Sequence, residues 1–468
     1  MKRYKLILIF LVFYISLSAQ PPKNDPESPS FLFNQFQKFS YENADSSFYY
    51  IRKLASNKRK GDLLTDLLHN QFAQKIMQFS PTDNQGPDIL EKKLARTIAL
   101  DVLAKIMSDT TRQLLQSAHP LFLLAEVHNN RDDPKALKNL VEEFIKTEIE
   151  GKDIYQHRAG RYGLMISQII EKQPALKPLQ KRLMALTRND LEKNQILPKD
   201  ATNRSLSGKR AWYRYLYAYV NFSEAQREDD LNKKKEYLKT AYEFSPDLID
   251  NGNKPGFYYD MHFLSEEQNA SFQDEYLEFL ISDSTDSKLV LSTLLQMALI
   301  NPELKQQLQD FYGKSSPAKN FDSYWSEAIN EQAKPAFPIM LQATDKQAFS
   351  SNSLLGRWIL VDFWGTWCGP CRQEHPDMQR FYDTTVKNNP DSLTLMTIAC
   401  FDQQEKVAAY MKEKNFSFPV AISDNQIEKT YAVQGYPTKL LITPAGKYVT
   451  VPFGVDWIVF VKKYSGLK

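Results

Sequence analysis

Val361-Asp362-Phe363-Trp364-Gly365-Thr366-Trp367-Cys368-Gly369-Pro370-Cys371 is the stretch that decides how this chain reads. An apolar run of strand length enters a tight Gly-Thr turn, and the turn runs into Cys-x-x-Cys at the head of a helix. That order puts Cys368 at the helix N-terminus and Cys371 one turn inside. The free backbone N–H groups and the positive end of the helix dipole stabilise a thiolate at Cys368, lowering a pKa near 8.5 to somewhere around 3.5 to 7.5 in such motifs. Cys368 is therefore the attacking sulfur. With two residues between them the second thiol is within disulfide reach, so Cys371 can resolve a mixed disulfide by attacking Cys368. A lone Cys-x-x-Cys is also half of a zinc site, but the only other cysteine is Cys400 and the six histidines (69, 119, 128, 157, 262 and 375) show no ligand spacing. Metal binding is disfavoured.

Outward from the motif, the texture changes near Gln332-Ala333-Lys334-Pro335. Seven of the 16 glycines fall in the last 134 of 468 residues, and apolar runs shorten to strand length, which marks a domain boundary. The pattern then predicts a strand at Ile359–Trp364, a helix over 369–387, a strand at Leu393–Cys400 and a helix over 404–414 opened by Asp402 and Glu405 at capping-box spacing. A short strand at Val420–Ile422, a helix over 426–432, a hairpin of Lys439–Thr443 with Tyr448–Val451 around Pro444-Ala445-Gly446, and a helix from Asp456 complete it. Alternating β and α elements followed by a hairpin and a terminal helix imply a mixed sheet covered by helices.

These residues resemble the thioredoxin fold, and within it the TlpA/ResA-type extracytoplasmic thiol-disulfide oxidoreductases. Phe363-Trp364-Gly365-Thr366-Trp367-Cys368 is close to wording typical of that group. Pro335-Ala336-Phe337-Pro338 matches its lead-in, and Gly435-Tyr436-Pro437-Thr438 stands where the group has its cis-proline loop. The likeness covers about 335–468. It implies that Pro437 lies cis against the disulfide and that Tyr436 offers main-chain hydrogen bonds to an extended substrate. With Trp367 beside the active sulfur and Gly369 and Pro370 between the cysteines, these form the candidate substrate-binding set. Asp362 matches the buried aspartate of thioredoxin. An acid in an apolar strand has its pKa raised by desolvation, which suits it to take the proton from Cys371. Glu374 matches a glutamate characteristic of the ResA-type group and either shares that task or is a solvated acid of the first helical turn. Arg372 and His375 are expected on the helix surface, Pro376 as a packing feature, and Cys400 as a buried, inert thiol.

Residues 20–330 read differently. Apolar residues recur at three and four, with Leu64, Leu68, Phe72 and Ile76 on one face and Leu90, Leu94, Ile98 and Val102 on another. Asp133-Pro134 is an N-cap followed by Pro at the first helical position, opening a helix with Leu137, Leu140, Val141, Phe144 and Ile145. Further helices are expected over 158–171, 208–226, 230–244, 265–282 and 286–300. Ala218 to Pro246 resembles one tetratricopeptide unit, departing from the pattern at Lys234 and without a clear second copy. Leu248 to Phe263 reads as a long loop whose aromatic residues either pack it down or face a partner. The expected fold class is α plus α/β: a large all-helical N-terminal region followed by a C-terminal thioredoxin-like mixed-sheet domain.

At the amino terminus Lys2, Arg3 and Lys5, the apolar run Leu6 to Leu17 and the small-residue zone ending at Ala19 form the three parts of a secretory signal, assigning 1–19 to a signal peptide. The alternative is an uncleaved N-terminal membrane anchor. Formal charge is 59 minus 56, or +3, and falls to zero when the first 19 residues are removed, so nothing draws the protein to nucleic acid. The expected activity is that of an exported, periplasmic or otherwise extracytoplasmic thiol-disulfide oxidoreductase. It reduces protein disulfides with no organic cofactor or metal, since the Gly-Pro pair resembles the reducing motif of thioredoxin. The resemblance further implies an upstream membrane-embedded thiol donor. Two other readings are a helical partner-binding scaffold carrying a redox-sensing or docking module, and an oxidase or isomerase.

Overall fold

The computed structural model describes residues 28–56, 61–77, 89–151, 158–193, 204–246, 257–265, 271–283, 286–315, 320–344, 348–452 and 455–467. The expected signal segment at 1–19 lies outside the described residues, as does 248–256 of the expected loop. Two compact units divide the chain, Met1–Gln195 and Ile196–Lys468.

The described part of the first unit is helical: α1 (Pro29–Phe39), α2 (Ala44–Ala55), α3 (Gly61–Met77), α4 (Ile89–Met107), α5 (Arg112–Asn129), α6 (Pro134–Phe144), α7 (Arg158–Glu171) and α8 (Lys177–Lys193). Short polar side chains start several of them. Asn43 accepts from the Ser46 N–H at 2.9 Å, and Asp133 accepts from the N–H groups of Lys135 and Ala136 at 2.9 and 3.0 Å. Each satisfies donors that the first helical turn cannot. The α3 stripe of Leu64, Leu68, Phe72 and Ile76 is fully buried, as its spacing predicts. The α4 stripe is only half realised: Ile98 and Val102 are buried, but Leu90 is 79 % and Leu94 54 % exposed. Burial in α4 starts at Ala95, so its first turns carry apolar residues that periodicity alone assigned to the core.

The second unit opens with α9 (Arg204–Arg227) and α10 (Leu231–Phe244), which pack together as a hairpin with Ala218, Ala225, Leu238 and Ala241 buried. A short α11 (Tyr258–Leu264) occupies the end of the expected loop. Phe257 before it is buried and stacks on Tyr215 at 5.2 Å between ring centroids, so this aromatic packs the segment down. Then follow α12 (Gln273–Asp283), α13 (Ser287–Ile300), α14 (Lys305–Ser315) and α15 (Phe321–Gln332).

Strands begin two residues later: β1 (Lys334–Pro335), β2 (Met340–Gln342), β3 (Ala348–Ser350), β4 (Trp358–Trp364), β5 (Leu393–Ala399), β6 (Val420–Ile422), β7 (Thr438–Ile442) and β8 (Lys447–Val451). Six of them form one mixed sheet in the order β1-β8-β7-β4-β5-β6, and β2 pairs with β3 separately. β4, β5 and β6 run parallel, while β7 is antiparallel to both β4 and β8. Helices α16 (Gly369–Phe381), α17 (Gln404–Lys414), α18 (Ile427–Thr430) and α19 (Trp457–Ser465) connect and cover them.

Alternation along β4 divides its side chains between two cores. Ile359, Val361 and Phe363 join one cluster with Met396, Ile398, Leu440 and Ile442. Leu360 and Trp364 join the other with Leu395, Leu441, Met378, Phe381 and Trp457. That second cluster continues into Trp325, Ile329, Leu294 and Leu308, so helices α13 to α15 share a core with one face of the sheet. Polar bonds tie the same elements: Trp325 Nε1 donates to the Tyr464 carbonyl at 3.3 Å, and Thr443 Oγ1 donates to Asn330 Oδ1 at 2.9 Å.

Candidate active site

Central strand β4 ends at Trp364, and the chain must turn within four residues to start α16. Gly365 makes that turn possible: a Cβ there would come within 2.4 Å of the Trp367 indole nitrogen, so only glycine lets the ring fold back across the turn. The indole Nε1–H donates to the Cys400 carbonyl at 3.0 Å. The next residue is pinned as well. Asp402, with its side chain buried, accepts from the Thr366 N–H at 2.6 Å and from Thr366 Oγ1 at 3.0 Å. The expected capping-box role of Asp402 is thus corrected: α17 starts after Gln403 without a side-chain cap, and the carboxylate serves the loop before Cys368 instead.

Cys368 is the N-cap of α16, and its Sγ accepts from the Cys371 N–H at 3.2 Å. The two sulfurs are joined in a disulfide, with Cα atoms 5.3 Å apart. Cys368 is 4 % exposed and Cys371 1 %, so the first sulfur lies just under the surface and the second behind it. Pro370 is exposed and Gly369 half-buried at the mouth of the site. The Tyr436–Pro437 bond is cis. The Tyr436 ring meets Trp367 edge-on at 5.2 Å and Phe401 at 6.3 Å. Trp367 is 48 % and Phe401 59 % exposed, so these rings make an aromatic rim beside the disulfide. Phe401 holds a left-handed backbone (φ 52°), a conformation that costs a bulky residue on the order of 1–2 kcal/mol. Nothing in the sequence signalled Phe401.

Behind the disulfide lies a buried ionic group. Asp362 is fully buried, and burial pushes its carboxyl up from 3.8 to about 6, an effect that Lys439 partly offsets and Glu374 reinforces. Lys439 Nζ lies 3.1 Å from Asp362 Oδ1 as an ion pair and donates to Glu374 Oε2 at 2.5 Å. Burial alone would lower the Lys439 pKa, but the two carboxylates outweigh it and raise the pKa above its ordinary value, so the ammonium stays charged. Glu374 is half-buried and turned towards this group. Lys439 was missed from sequence, yet it left a signal: a lysine inside the apolar strand Thr438-Lys439-Leu440-Leu441-Ile442.

His375 also departs from expectation. It is buried rather than on the helix surface, with its ring 4.4 Å from that of Trp364 and Nδ1 3.0 Å from the Tyr410 hydroxyl. Burial, and secondarily the charge of Lys439, push its pKa down to about 4. The rings of Trp364, Phe416 and Phe418 close over His375, and α17 supplies the Tyr410 hydroxyl that makes its burial tolerable. Arg372 is exposed, as expected. Cys400 is a buried thiol pushed up to about 12, mainly by burial and next by the charge of Glu428.

Residues 332–450 match the AhpC/TSA family. The chain is 30% identical over 142 residues to the thiol-disulfide oxidoreductase ResA of Bacillus subtilis, an alignment spanning 30% of this chain and 77% of that one. It is 34% identical over 131 residues to ResA of Bacillus cereus, spanning 28% and 74%. A solved thiol:disulfide interchange protein of the thioredoxin family from Chlorobium tepidum aligns at 27% identity over 29% of this chain and 96% of its own, with a TM-score of 0.26. With the strand, the Cys368–Cys371 disulfide and the cis-proline loop in one place, the chain belongs to the ResA-type thiol-disulfide oxidoreductases, enzymes of the thioredoxin-like class.

Proposed function

We propose that the protein is an exported reductase of protein disulfides that works through Cys368 and Cys371. The Cys368 thiolate attacks one sulfur of a substrate disulfide, forming a mixed disulfide and expelling the other substrate sulfur as a thiolate. Cys371 then gives its proton to Asp362 and attacks Cys368 Sγ. The second substrate sulfur leaves as a thiolate: the substrate S–S bond has been broken, the Cys368–Cys371 S–S bond has formed, and the dithiol has given up two electrons. Two electrons and two protons from an upstream thiol donor, membrane-embedded in the family this chain resembles, restore the dithiol.

The observation that carries this reading is the hydrogen bond from the Cys371 N–H to Cys368 Sγ at the head of α16. A backbone donor and the helix dipole both favour negative charge on that sulfur. The cis peptide at Pro437 beside an aromatic rim supports docking of an extended polypeptide along Tyr436, with Trp367, Gly369 and Pro370 completing the docking surface. Asp362 has the burial and the raised pKa that suit a base for Cys371. The reducing direction rests on the Gly-Pro pair, and export on the amino-terminal charge and apolar pattern.

The test is a trap. Replacing Cys371→Ser removes the resolving thiol, so the native host is expected to accumulate an adduct joined through Cys368 to the substrate, visible by mass spectrometry and released by dithiothreitol. If no adduct forms while a partner co-purifies without either cysteine, the reductase reading is wrong and the scaffold reading takes its place.

A further inference from the structure

Asp362 and Lys439 oppose each other directly across the antiparallel β4–β7 pair, so both side chains leave the same face of the sheet. That face carries Leu360, Trp364 and Leu441 and is covered by α16, which bears Cys371, and by α19, whose Trp457 ring lies 5.3 Å from the Lys439 ammonium. Glu374 follows Cys371 by three positions on α16, one turn on and on the same side, and brings its carboxylate down onto the same ammonium. One buried cation therefore holds two acids that come from different elements. One acid, Asp362, is 2 % exposed; the side chain of the other, Glu374, is 36 % exposed and reaches solvent.

We infer that Lys439 is a positioning residue that joins Asp362 and Glu374 into a single proton-handling unit behind Cys371, and so sets the pH at which the resolving step becomes available. The inference rests on the proposed role of Cys371 and Asp362. In the resolving step the proton leaves Cys371 Sγ for the Asp362 carboxylate as the new S–S bond forms and the substrate thiolate departs. Lys439 keeps its own protons throughout. Its charge lets Asp362 be anionic before the step despite complete burial, and its bond to Glu374 fixes a solvent-reaching acid next to the one that must lose the proton afterwards.

Other groups face this unit without titrating alongside it. His375 on α16 is held neutral by burial and by Lys439 itself. Cys400 at the end of β5, which feels the Asp362 charge, is held as a thiol by burial. Trp457 on α19 adds only its ring face. Reduction of the disulfide adds the thiols of Cys368 and Cys371 to these neighbours.

Two substitutions separate this role from simple packing, because they act in opposite directions. Lys439→Met removes the cation and leaves a buried acid without its counter-charge, which raises the Asp362 midpoint by about 1 to 3 pH units. Glu374→Gln removes the competing anion and leaves the cation to Asp362 alone, which lowers the midpoint by a smaller amount. The midpoint is read by carbon-13 NMR of carboxyl groups in the oxidised full chain, the Asp362 signal being assigned by its loss in Asp362→Asn. The acid limb of insulin reduction driven by dithiothreitol is expected to move the same way in each variant. A midpoint unmoved in both variants, or moved the same way in both, overturns the inference. If Lys439→Met does not fold, Glu374→Gln alone decides: a midpoint that fails to fall overturns it. The NMR titration needs no turnover, so wild-type protein that does not reduce insulin but shows both shifts refutes the reductase reading and upholds the coupling.

Discussion

Two buried stripes in this protein each follow the repeat of their own element, and only one of them carries a charge. On α3, Leu64, Leu68, Phe72 and Ile76 follow the helical repeat and are all fully buried, with no ionisable group among them. On β4, Leu360, Asp362 and Trp364 follow the strand repeat and are as deeply buried, but the middle one is a carboxylate. The first stripe only stabilises, each large side chain contributing roughly 1.5–3 kcal/mol by leaving water. The second gives up part of that and adds the cost of burying charge, reduced by an ammonium at 3.1 Å. A fold does not need that arrangement for stability, since well-packed apolar residues serve as well or better. The difference teaches where to look for chemistry: at the place where a periodic core accepts a charge beside a reactive sulfur.

The comparison can be broken most forcefully from the apolar side. Phe72→Ala is expected to cost about 3–5 kcal/mol of stability, measured by denaturant unfolding, because it removes a fully buried ring and leaves a cavity. Disulfide reduction per folded molecule should stay at the wild-type rate; a matching loss of turnover would mean that the helical unit takes part in the chemistry.

Asp362→Asn probes the charged stripe. The folded-state pKa of Asp362 is raised, so the unfolded chain loses this proton first, and stability falls as pH climbs from about 3.8 through about 6. Stability contributed by the protonated acid is fully present below about 3.8 and gone above about 6. The variant should lack this slope, unfolding at neutral pH with on the order of 1–3 kcal/mol more resistance than the wild type. Its turnover should drop by about 10²-fold, the usual worth of a lost general base. A variant with the wild-type slope, or with wild-type turnover, would show that the acid is inert.

The smallest expected effect returns to the helices. Asp133→Ala removes the cap of α6 and should cost about 1 kcal/mol in thermal or denaturant unfolding, with no change in turnover. A loss of turnover there would blur the distinction between structural and reactive acids.

Much of the site was legible in the order of residues. The strand, turn and helix around Cys368 and Cys371 and the acid in the apolar strand follow from short-range signals such as two-residue alternation, a glycine at the turn and a proline in the first helical turn, while the cis form of Pro437 was legible only through the family resemblance. The expected elements from Ile359 onward coincide with the observed ones to within a few residues, apart from the π-helical turn at Tyr382–Val386 that ends the long helix. Legibility failed where a side chain had two plausible neighbourhoods. Asp402 has capping spacing with Glu405, yet it bonds Thr366, 36 positions away. His375 follows Glu374 on a helix that looked solvated, yet packs under α17. Leu90 and Leu94 continue an apolar stripe past the point where neighbours cover it.

Local chemistry written into the chain thus determined the placing of Cys368 and Cys371 at the head of a helix and the succession of elements, because each depends on residues within a turn or two of one another. Tertiary structure alone decided that Lys439 would sit between Asp362 and Glu374, 65 positions from the latter. The reason is register: in an antiparallel pair a slip of one residue would send Lys439 to the opposite face of the sheet, and no feature of its own strand says which residue of β4 it must oppose.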